Sequence, residues 1–373
     1  MKCSTAWASA LILGTLSLTV VDASAGQFKR AVYYHGGQAP YQAAATQLTN
    51  SGNLDLVMAD YLSDQIVVLL GKGDGTFQKP IKFSIPSPVA LAVGDFNGDG
   101  KEDLAVVEYG GTGESAITIL LGDGTGKFRQ SASYPSGVET TGVAVADFNG
   151  DGHQDVAVAN NAGNVMVFFG TGKGTLKKPA SYVLPGHTIP YGIAAGDLNG
   201  NHHPDLAVAE DGDGSVAVLL NDGTGKFLKP VTYNAGGGEV VDVKIADLRD
   251  DGKQDLVVAN FSLSAIGVLL NQGDATFAPV KLYHPQCYAD AVVIADFNLD
   301  GHLDVAVAAQ QGNSALLYGK GDGTFGAPVP IKDEIGTNGG YSIVAGDFKN
   351  DGAPDLAIPI ELNGKVAILL NTK

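Results

Sequence analysis

The sequence predicts an all-β fold, a seven-bladed β-propeller with four antiparallel strands in each blade. Three observations lead to this prediction. An acidic motif occurs seven times, apolar runs of strand length surround each copy, and the two ends of the chain complement each other. Repeats of roughly 50 residues are typical of propellers and solenoids. Four short strands in each repeat favour the propeller.

The repeated motif places oxygen-bearing side chains at every second position. Its best copy reads Asp95-Phe-Asn97-Gly-Asp99-Gly-Lys-Glu-Asp103 and closes with a further carboxylate. Calcium prefers six or more oxygen ligands, and a tight loop that contains glycine can supply them from alternate positions. The seven copies begin at residues 47, 95, 147, 197, 247, 296 and 347, at intervals of 48 to 52 residues.

Apolar runs of four to eight residues flank each motif, and their lengths and turn boundaries predict strands. One run precedes the motif, as at 89–93, and a second follows it, as at 104–107. A Gly-Asp-Gly-Thr-Phe stretch, as at 73–77, predicts a hairpin turn between a third run and a fourth. Innermost strands that are packed on both faces should be apolar throughout. Lys244 interrupts this pattern, and we expect it to pair with a carboxylate such as Asp242.

The two ends of the chain predict how the ring closes. The last repeat ends after its third run, at Leu370, and has no fourth. Residues 27–34 resemble the fourth runs at 76–83 and 226–233. We therefore expect the N-terminal strand to complete the last blade, which removes two open strand edges.

Residues 1–25 predict a signal peptide, so the propeller occupies residues 26–373. A basic start, an apolar run at 10–21 and a small-residue site ending at Ala25 are typical of such a leader. The apolar run is too short to span a bilayer, which argues against a membrane anchor. We expect a secreted protein, extracellular or periplasmic, that does not insert into the membrane.

The composition limits the partners that this protein can have. The net charge of −17 argues against binding to nucleic acid or to an anionic membrane surface. Removal of the leader leaves Cys287 as the single cysteine, which cannot form a disulfide within the chain. The sequence assigns no role to Cys287. We expect a monomer.

The acidic motif, the Gly-Asp-Gly-Thr-Phe turn and the sevenfold period together resemble the FG-GAP/VCBS repeat family. The N-terminal propeller of integrin α chains is its familiar relative, and the resemblance covers residues 27–371. It implies a seven-bladed propeller with calcium in loops that join the first and second strands of several blades. Family members include adhesion and binding modules, lectin-like proteins and non-catalytic parts of enzymes, so the fold does not determine the function.

The resemblance implies side-chain ligands at the first, third, fifth and ninth loop positions and a carbonyl ligand at the seventh. Three loops match in full, and we expect a fourth, less complete set, giving three to four calcium ions. The complete sets are Asp95, Asn97, Asp99, Lys101 and Asp103; Asp147, Asn149, Asp151, His153 and Asp155; and Asp296, Asn298, Asp300, His302 and Asp304. The tentative set is Asp197, Asn199, Asn201 and Asp205. The alternative for each is an Asx-rich turn that holds no ion.

The remaining three loops depart from the pattern. Arg249 and Lys349 bring a cation to the third ligand position, so these loops either bind calcium or neutralise their own acids. Gln47, Thr49 and Ser51 leave the first loop with one carboxylate, and we predict that it is empty.

The opposite face of the propeller provides the candidate ligand-binding residues Tyr41, Tyr191, Asp242, Asp290 and Tyr341. They stand at the start of the predicted innermost strands and should surround the mouth of the central channel. Val89, Thr141, Val241, Gln42 and Ser342 should lie beside them. Tyrosines among acids suit a sugar or a peptide. The alternative is a set of aromatic loop residues that bind nothing.

These observations favour a module that binds or adheres to extracellular carbohydrate or protein over an enzyme. The alternative is a polysaccharide-degrading enzyme on the same scaffold. A lyase would need a cation beside its base, and the predicted mouth offers few. A hydrolase needs two carboxyls about 5 to 10 Å apart, which Asp242 and Asp290 on adjacent blades could supply. The histidines show no zinc-binding spacing and no Gly-x-Ser-x-Gly elbow is present, so we assign no catalytic residue.

Overall fold

The structure is a computed structural model that describes residues 27–111, 113–186, 189–310, 312–331 and 340–373. These residues form seven antiparallel sheets of four strands each. The first strands of neighbouring blades contact one another in a ring around one axis. The predicted seven-bladed propeller is therefore confirmed. The predicted signal peptide, residues 1–25, lies outside the described residues.

Each blade runs from an innermost first strand to an outermost fourth strand. The strand nearest the N-terminus, β1 (Val32–His35), belongs to blade 7. Blade 1 contains β2 (Pro40–Thr46), β3 (Asp55–Asp60), β4 (Gln65–Leu69) and β5 (Ile81–Ser84). Blade 2 contains β6 (Pro88–Gly94), β7 (Asp103–Glu108), β8 (Glu114–Gly122) and β9 (Phe128–Val138). Blade 3 contains β10 (Thr140–Ala146), β11 (Asp155–Asn160), β12 (Asn164–Phe168) and β13 (Ala180–Val183).

The other four blades follow the same order. Blade 4 contains β14 (Ile189–Gly196), β15 (Asp205–Asp211), β16 (Ser215–Leu219) and β17 (Val231–Asn234). Blade 5 contains β18 (Val240–Ala246), β19 (Asp255–Asn260), β20 (Ala265–Leu269) and β23 (Lys281–Tyr283). A separate two-stranded hairpin, β21 (Asn271–Gly273) and β22 (Thr276–Phe277), precedes the fourth strand of this blade. Blade 6 contains β24 (Ala289–Ala295), β25 (Asp304–Ala309), β26 (Ala315–Leu317) and β27 (Val329–Pro330). Blade 7 contains β28 (Val344–Gly346), β29 (Asp355–Ile360) and β30 (Lys365–Leu369).

Helical structure is limited to two single turns of 3₁₀-helix in the part of the chain that is described. They are Tyr61–Ser63 and Glu361–Asn363, and each joins the second strand of its blade to the third. No helix among the described residues is long and apolar enough to cross a membrane.

The second strands, and not the innermost ones, are the most deeply buried. Every residue of β3, β11 and β25 is buried. In contrast, β6 and β18 contain several half-buried residues, because one edge of an innermost strand faces the central channel. The expectation that both faces of these strands are packed is met, since Ala92 and Val93 pack into the layers on either side of blade 2. Small side chains still dominate these strands, since they converge on the axis.

The hydrophobic core is divided into seven layers, each between two neighbouring blades. The phenylalanine of the Gly-Asp-Gly-Thr-Phe turn is part of such a layer. Phe77 packs edge-on against Phe348 of blade 7, with ring centroids 5.5 Å apart. Each layer therefore depends on both of its blades, and the fold depends on an unbroken ring.

The N-terminal strand completes blade 7, as the sequence predicts. The sheet order is β28-β29-β30-β1, and Val32 pairs with Ile368 in antiparallel register. Before β1, the N–H of Lys29 donates to the carbonyl of Leu370 at 2.8 Å. The first described residues and the last strand thus join the two ends of the chain within one sheet.

Candidate functional site

The acidic loops connect the first and second strands of each blade, and six of them share one backbone arrangement. In blade 2, Asp95 Oδ1 accepts the N–H of Gly98 at 2.7 Å, and its Oδ2 accepts that of Gly100 at 2.8 Å. In the other five loops that begin with aspartate, the backbone N–H of the sixth residue likewise donates to Oδ2 of the first aspartate, at 2.7–2.8 Å. The first aspartate therefore holds the backbone of each of these loops through its hydrogen bonds.

The ninth aspartate is buried in all seven loops and joins the loop to the blade. Asp103 Oδ2 accepts the N–H of Phe96 at 3.0 Å, and Oδ1 accepts that of Gly122, at the end of the third strand, at 2.7 Å. Asp55 makes the same two bonds in the first loop, although that loop has no other carboxylate. The ninth aspartate thus has a structural role in every blade, which the sequence-based assignment as a ligand did not include.

In the three complete loops the pKa of the ninth-position aspartate is raised. Burial raises the pKa of Asp103 to about 6, and the nearby charges of Asp95 and Asp99 raise it as well, while its backbone N–H donors lower it. Asp155 and Asp304 also have a pKa of about 6, with burial as the largest cause and neighbouring loop acids as a smaller one. A bound cation would relieve this repulsion.

In blade 5, the guanidinium of Arg249 lies among the loop acids. Its Nη2 donates to Asp255 Oδ1 at 2.9 Å and to the carbonyl of Asn271 at 2.6 Å, and its Nη1 lies 3.2 Å from Asp251 Oδ2. Burial raises the pKa of Asp255, and the hydrogen bond and charge of Arg249 lower it. The arginine thus supplies the positive charge in this loop.

Lys349 has the same position in blade 7. Its Nζ donates to Asp351 Oδ2 at 2.5 Å and to the carbonyl of Asn371 at 2.7 Å, and lies 3.6 Å from Asp355 Oδ1. The prediction that these two loops can neutralise themselves agrees with these ion pairs. A cation therefore fits at this place in the loop, between the fifth-position acid, the ninth-position acid and the carbonyl after strand 3.

The complete loops have a neutral asparagine where Arg249 and Lys349 bring a charge, and in blade 6 Asn298 Nδ2 donates to Asp300 Oδ2 at 2.9 Å. No three histidine, cysteine, aspartate or glutamate side chains converge into a metal-binding group within the described ranges. The donor set therefore has to combine acids with the amide oxygens of asparagines and with carbonyls, a mixture that suits calcium. The tentative blade 4 loop fits less well, because Asn201 Nδ2 donates to the carbonyl of Asn221 at 3.1 Å and His202 has a φ of 64°.

At the opposite face, the five candidate ligand-binding residues come together around one cavity of about 450 Å³. Tyr41, Tyr191, Asp242, Asp290 and Tyr341 all line it. The neighbours predicted from the sequence, Val89, Thr141, Val241, Gln42 and Ser342, line it as well. The cavity lies on the propeller axis, where the innermost strands begin.

A β-bulge near the start of the innermost strand directs these side chains. In blade 1 the register with the second strand shifts between Pro40 and Gln42, which leaves Tyr41 out of the ladder. In blade 6 the shift between Ala289 and Ala291 leaves out Asp290. Blades 2, 3 and 5 have the same irregularity, and the longer shift in blade 4 leaves out Tyr191 and Gly192. Because a bulge redirects the side chain of the extra residue, one residue of each of these blades turns toward the cavity.

Most polar side chains beside the bulges connect neighbouring blades. Gln42 Oε1 accepts the N–H of Leu91 at 2.6 Å, and Asp242 Oδ2 accepts that of Val292 at 3.0 Å. Asp242 is also bound by Lys244 Nζ, at 2.6 and 2.8 Å from its two oxygens, so the predicted ion pair is confirmed. Thr141 Oγ1 donates to the carbonyl of Pro190 in blade 4, and Ser342 Oγ accepts the N–H of Ala43 in blade 1.

The three tyrosines form a connected aromatic cluster. The rings of Tyr41 and Tyr341 stack with centroids 4.8 Å apart and planes 15° apart. Tyr41 is hydrogen-bonded to Tyr191, and burial, with a smaller contribution from Tyr191, raises the pKa of its hydroxyl far above the ordinary value. Gln310 Nε2 donates to the Tyr341 hydroxyl at 2.9 Å. Since blades 1 and 4 lie across the ring from each other, the Tyr41–Tyr191 contact crosses the axis.

Asp290 differs from the other polar residues of the cavity. Its Oδ2 is shielded from solvent and has no hydrogen-bond partner among the described residues. Burial alone raises the pKa of this carboxyl to about 7. Since other blades carry tyrosine, valine or threonine at this bulge, the fold does not require an acid here.

Sequence reasoning missed a second group of residues at the cavity. Gln310, Asp211 and Phe261 lie at or just after the end of second strands, and Glu239 precedes an innermost strand. These residues could have been found from their position in the repeat. The turn after the second strand of a blade lies at the same face of the propeller as the start of the first strand. Extending the candidate set to both kinds of turn would have found them.

Comparison with known proteins identifies the repeat. The model of the FG-GAP-like repeat matches residues 48–106, 95–158, 147–208, 203–258, 247–307 and 296–358, which together span most of the propeller. The chain belongs to the FG-GAP-like repeat family. The resemblance seen in the sequence is thereby confirmed. No curated protein matches this FG-GAP-like propeller in sequence.

Several solved structures share the fold of this FG-GAP-like propeller. A crystal structure of BBS1N in complex with ARL6DN superposes with a TM-score of 0.65 at 15% identity, over 93% of this chain and 97% of the other. An Agrocybe aegerita lectin that recognises non-reducing terminal N-acetylglucosamine superposes with a TM-score of 0.57 at 19% identity, over 89% of this chain and 86% of the lectin. A functionally unknown protein from Desulfotomaculum acetoxidans superposes with a TM-score of 0.60 at 13% identity, over 85% of this chain and 99% of the other. At these identities the likeness shows the fold.

The lone cysteine of this FG-GAP-like propeller is part of its core. Cys287 is buried in the layer between blades 5 and 6, next to residues such as Ala289. Among the loop histidines, the rings of His153 and His302 lie close to Gly172 and Gly321 of neighbouring turns. These contacts give the residues packing roles.

Proposed function

We propose that this protein is an exported, calcium-stabilised binding module that holds an extracellular carbohydrate or protein ligand at its axial cavity. The observation that carries the proposal is the cavity of about 450 Å³ at which side chains from all seven blades converge. Small-molecule and sugar sites are typically concave and combine aromatic surface with a few fixed polar groups. The stacked Tyr41 and Tyr341, with Gln310 and Asp290, supply both.

The comparisons support a binding role by analogy of fold. One similar propeller is a lectin that recognises N-acetylglucosamine, and another was crystallised in complex with a partner protein. Related scaffolds carry unrelated functions, so the residues of the cavity must identify the ligand. The leader-like residues 1–25 are the basis for proposing export.

Calcium has a structural role in this proposal. The mutual repulsion of the loop acids, and the replacement of an external cation by Arg249 and Lys349 in two blades, support it. The three complete loops, in blades 2, 3 and 6, would hold the ions. They lie at the face opposite the cavity, so calcium would stabilise the scaffold without contacting the ligand.

A ligand screen tests the binding role. The purified chain, residues 26–373, is applied to glycan and matrix-protein arrays with calcium and with chelator. We expect Tyr341→Ala or Tyr191→Ala to weaken a captured ligand at least tenfold while the melting temperature in calcium changes little. Leu228→Ala, an exposed change on the outer surface, is the control. Binding that persists in both tyrosine variants would show that the cavity is not the site.

A polysaccharide hydrolase is the second candidate function. The observation that favours it is that two carboxyls in different environments line one cavity. Asp242 is paired with Lys244, and burial raises the pKa of Asp290 to about 7. Such a difference suits an acid and a base. However, both oxygens of Asp242 already accept bonds, which favours binding over hydrolysis. Release of reducing sugar from a polysaccharide panel, lost in Asp290→Asn, would establish the enzyme.

A further inference from the structure

Asp290 has the one buried side-chain oxygen that has no hydrogen-bond partner among the described residues that line the cavity. Gln42, Thr141, Asp242 and Ser342 each hydrogen-bond to a neighbouring blade. Asp290 stands at a bulge, lines the cavity and is half-buried; its Oδ2 is shielded from solvent and has no donor among the described residues. A buried acceptor without a donor is costly for a fold. It is explained if a ligand supplies the donor.

The surroundings of Asp290 favour a positively charged donor. Lys244 is the cationic residue among the described residues that line the cavity, and it is bound to Asp242. Asp211 and Glu239 line the same cavity and add negative charge. Anionic ligands would meet uncompensated repulsion here, whereas an ammonium group would find an available carboxylate and nearby tyrosine rings.

We propose that the axial cavity binds a sugar unit that carries a free, protonated amine, with Asp290 accepting hydrogen bonds from the ammonium group. Tyr41 and Tyr341 provide the apolar surface for the sugar ring, and Gln310 positions the Tyr341 hydroxyl beside it. This inference rests on the proposed binding function and specifies its ligand. A sugar is favoured over a lysine side chain because Asp211 and Glu239 also line the cavity and can accept hydrogen bonds from hydroxyl groups.

The test compares sugars that differ at one substituent. Glucosamine, N-acetylglucosamine and glucose are titrated by calorimetry into the chain, residues 26–373, in calcium at neutral pH. We expect glucosamine to bind at least tenfold more tightly than the other two. Asp290→Asn keeps the shape of the side chain and should abolish that preference. Asp74→Asn, in an exposed turn on the calcium-loop face, should retain it.

The remaining outcomes separate this inference from the proposed function. If neutral sugars bind as tightly as glucosamine and Tyr341→Ala weakens them all, the cavity is the site but the amine preference is wrong. If α-N-acetyl-lysine amide binds more tightly than glucosamine, the assignment to a sugar is overturned. If none of these probes binds and no array ligand depends on the tyrosines, both proposals fail. Circular dichroism and the melting temperature verify that each variant is folded.

Discussion

At the scale of single residues, Asp290 decides how the cavity responds to pH. A carboxylate that is removed from water must gain partners or retain its proton. The Oδ2 of Asp290 gains none within the described structure, and burial raises its pKa to about 7, from an ordinary value of 3.8. Between these two values the folded chain retains a proton that the unfolded chain releases. Stability due to this group therefore falls as pH rises toward 7 and then levels off.

Asp290→Asn should remove this pH-dependent penalty. The amide cannot ionise, so the variant should gain stability relative to the parent as pH rises from 5 to 8. At pH 8 the gain should be about 1–3 kcal/mol, the usual cost of a buried polar group without a partner. Urea unfolding at both pH values, at constant calcium, measures it.

The control for this prediction is Asp74→Asn. Asp74 is fully exposed and accepts bonds from Thr76, which lower its pKa, so its replacement should give no advantage that grows with pH. If Asp290→Asn and Asp74→Asn changed stability equally at both pH values, the buried carboxyl would not be the source of the effect.

At the scale of elements, the acidic loop was predictable and the bulge was not. The loop has a residue signature, because each position that contributes an oxygen or needs a left-handed backbone restricts the residue type. In contrast, Tyr41, Val89, Thr141 and Asp290 share no property that marks a bulge. The sequence therefore located the residues at the cavity by their position in the repeat. It predicted the pairing of Lys244 with Asp242. It could not reveal that Asp242 also accepts a hydrogen bond from blade 6, or that Asp290 Oδ2 has no partner among the described residues.

The loops should differ in their response to calcium. Extracellular modules hold calcium at about 0.1–1 mM, so at about 2 mM free ion one site adds on the order of 1–2 kcal/mol. Three complete loops would add about 2–5 kcal/mol to the free energy of unfolding. We expect the loss of one site's calcium stabilisation from each of the substitutions Asp99→Ala, Asp151→Ala and Asp300→Ala. Calorimetric unfolding with calcium and with chelator measures the difference, and magnesium should substitute poorly.

The loops with internal cations provide the matched controls. Asp251→Ala and Asp351→Ala should leave the calcium response unchanged, because Arg249 and Lys349 already supply the charge. Conversely, Arg249→Asn restores a complete ligand set with Asp247, Asp251 and Asp255. This variant should gain the calcium stabilisation of one further site. An equal loss of response in all five alanine variants, or a parent that does not respond to calcium, would contradict the assignment.

At the scale of the whole molecule, the ring has no disulfide to hold it, and its closure depends on one strand. Each core layer lies between two blades, so an open blade would weaken the layers on both of its sides. The N-terminal segment contributes to both layers. Phe28 packs against Phe297 at 5.7 Å, and Tyr34 packs against Phe77 at 5.2 Å, both edge-on. These two contacts join the segment to blade 6 on one side and to blade 1 on the other.

Deletion of residues 26–35 should therefore open the ring. It removes β1 and exposes the outer edge of β30, whose residues pair with Val32–His35 in the intact protein. It also removes two packed aromatic side chains, and the loss of each typically costs about 3–5 kcal/mol. Because ordinary domain stability is about 5–15 kcal/mol, the variant should aggregate through the open edge or lose its folded state. Adding a synthetic peptide of residues 26–36 should restore the melting transition, whereas a scrambled peptide should not. A deletion variant that stays monomeric with an unchanged melting temperature would show that the ring does not need this strand.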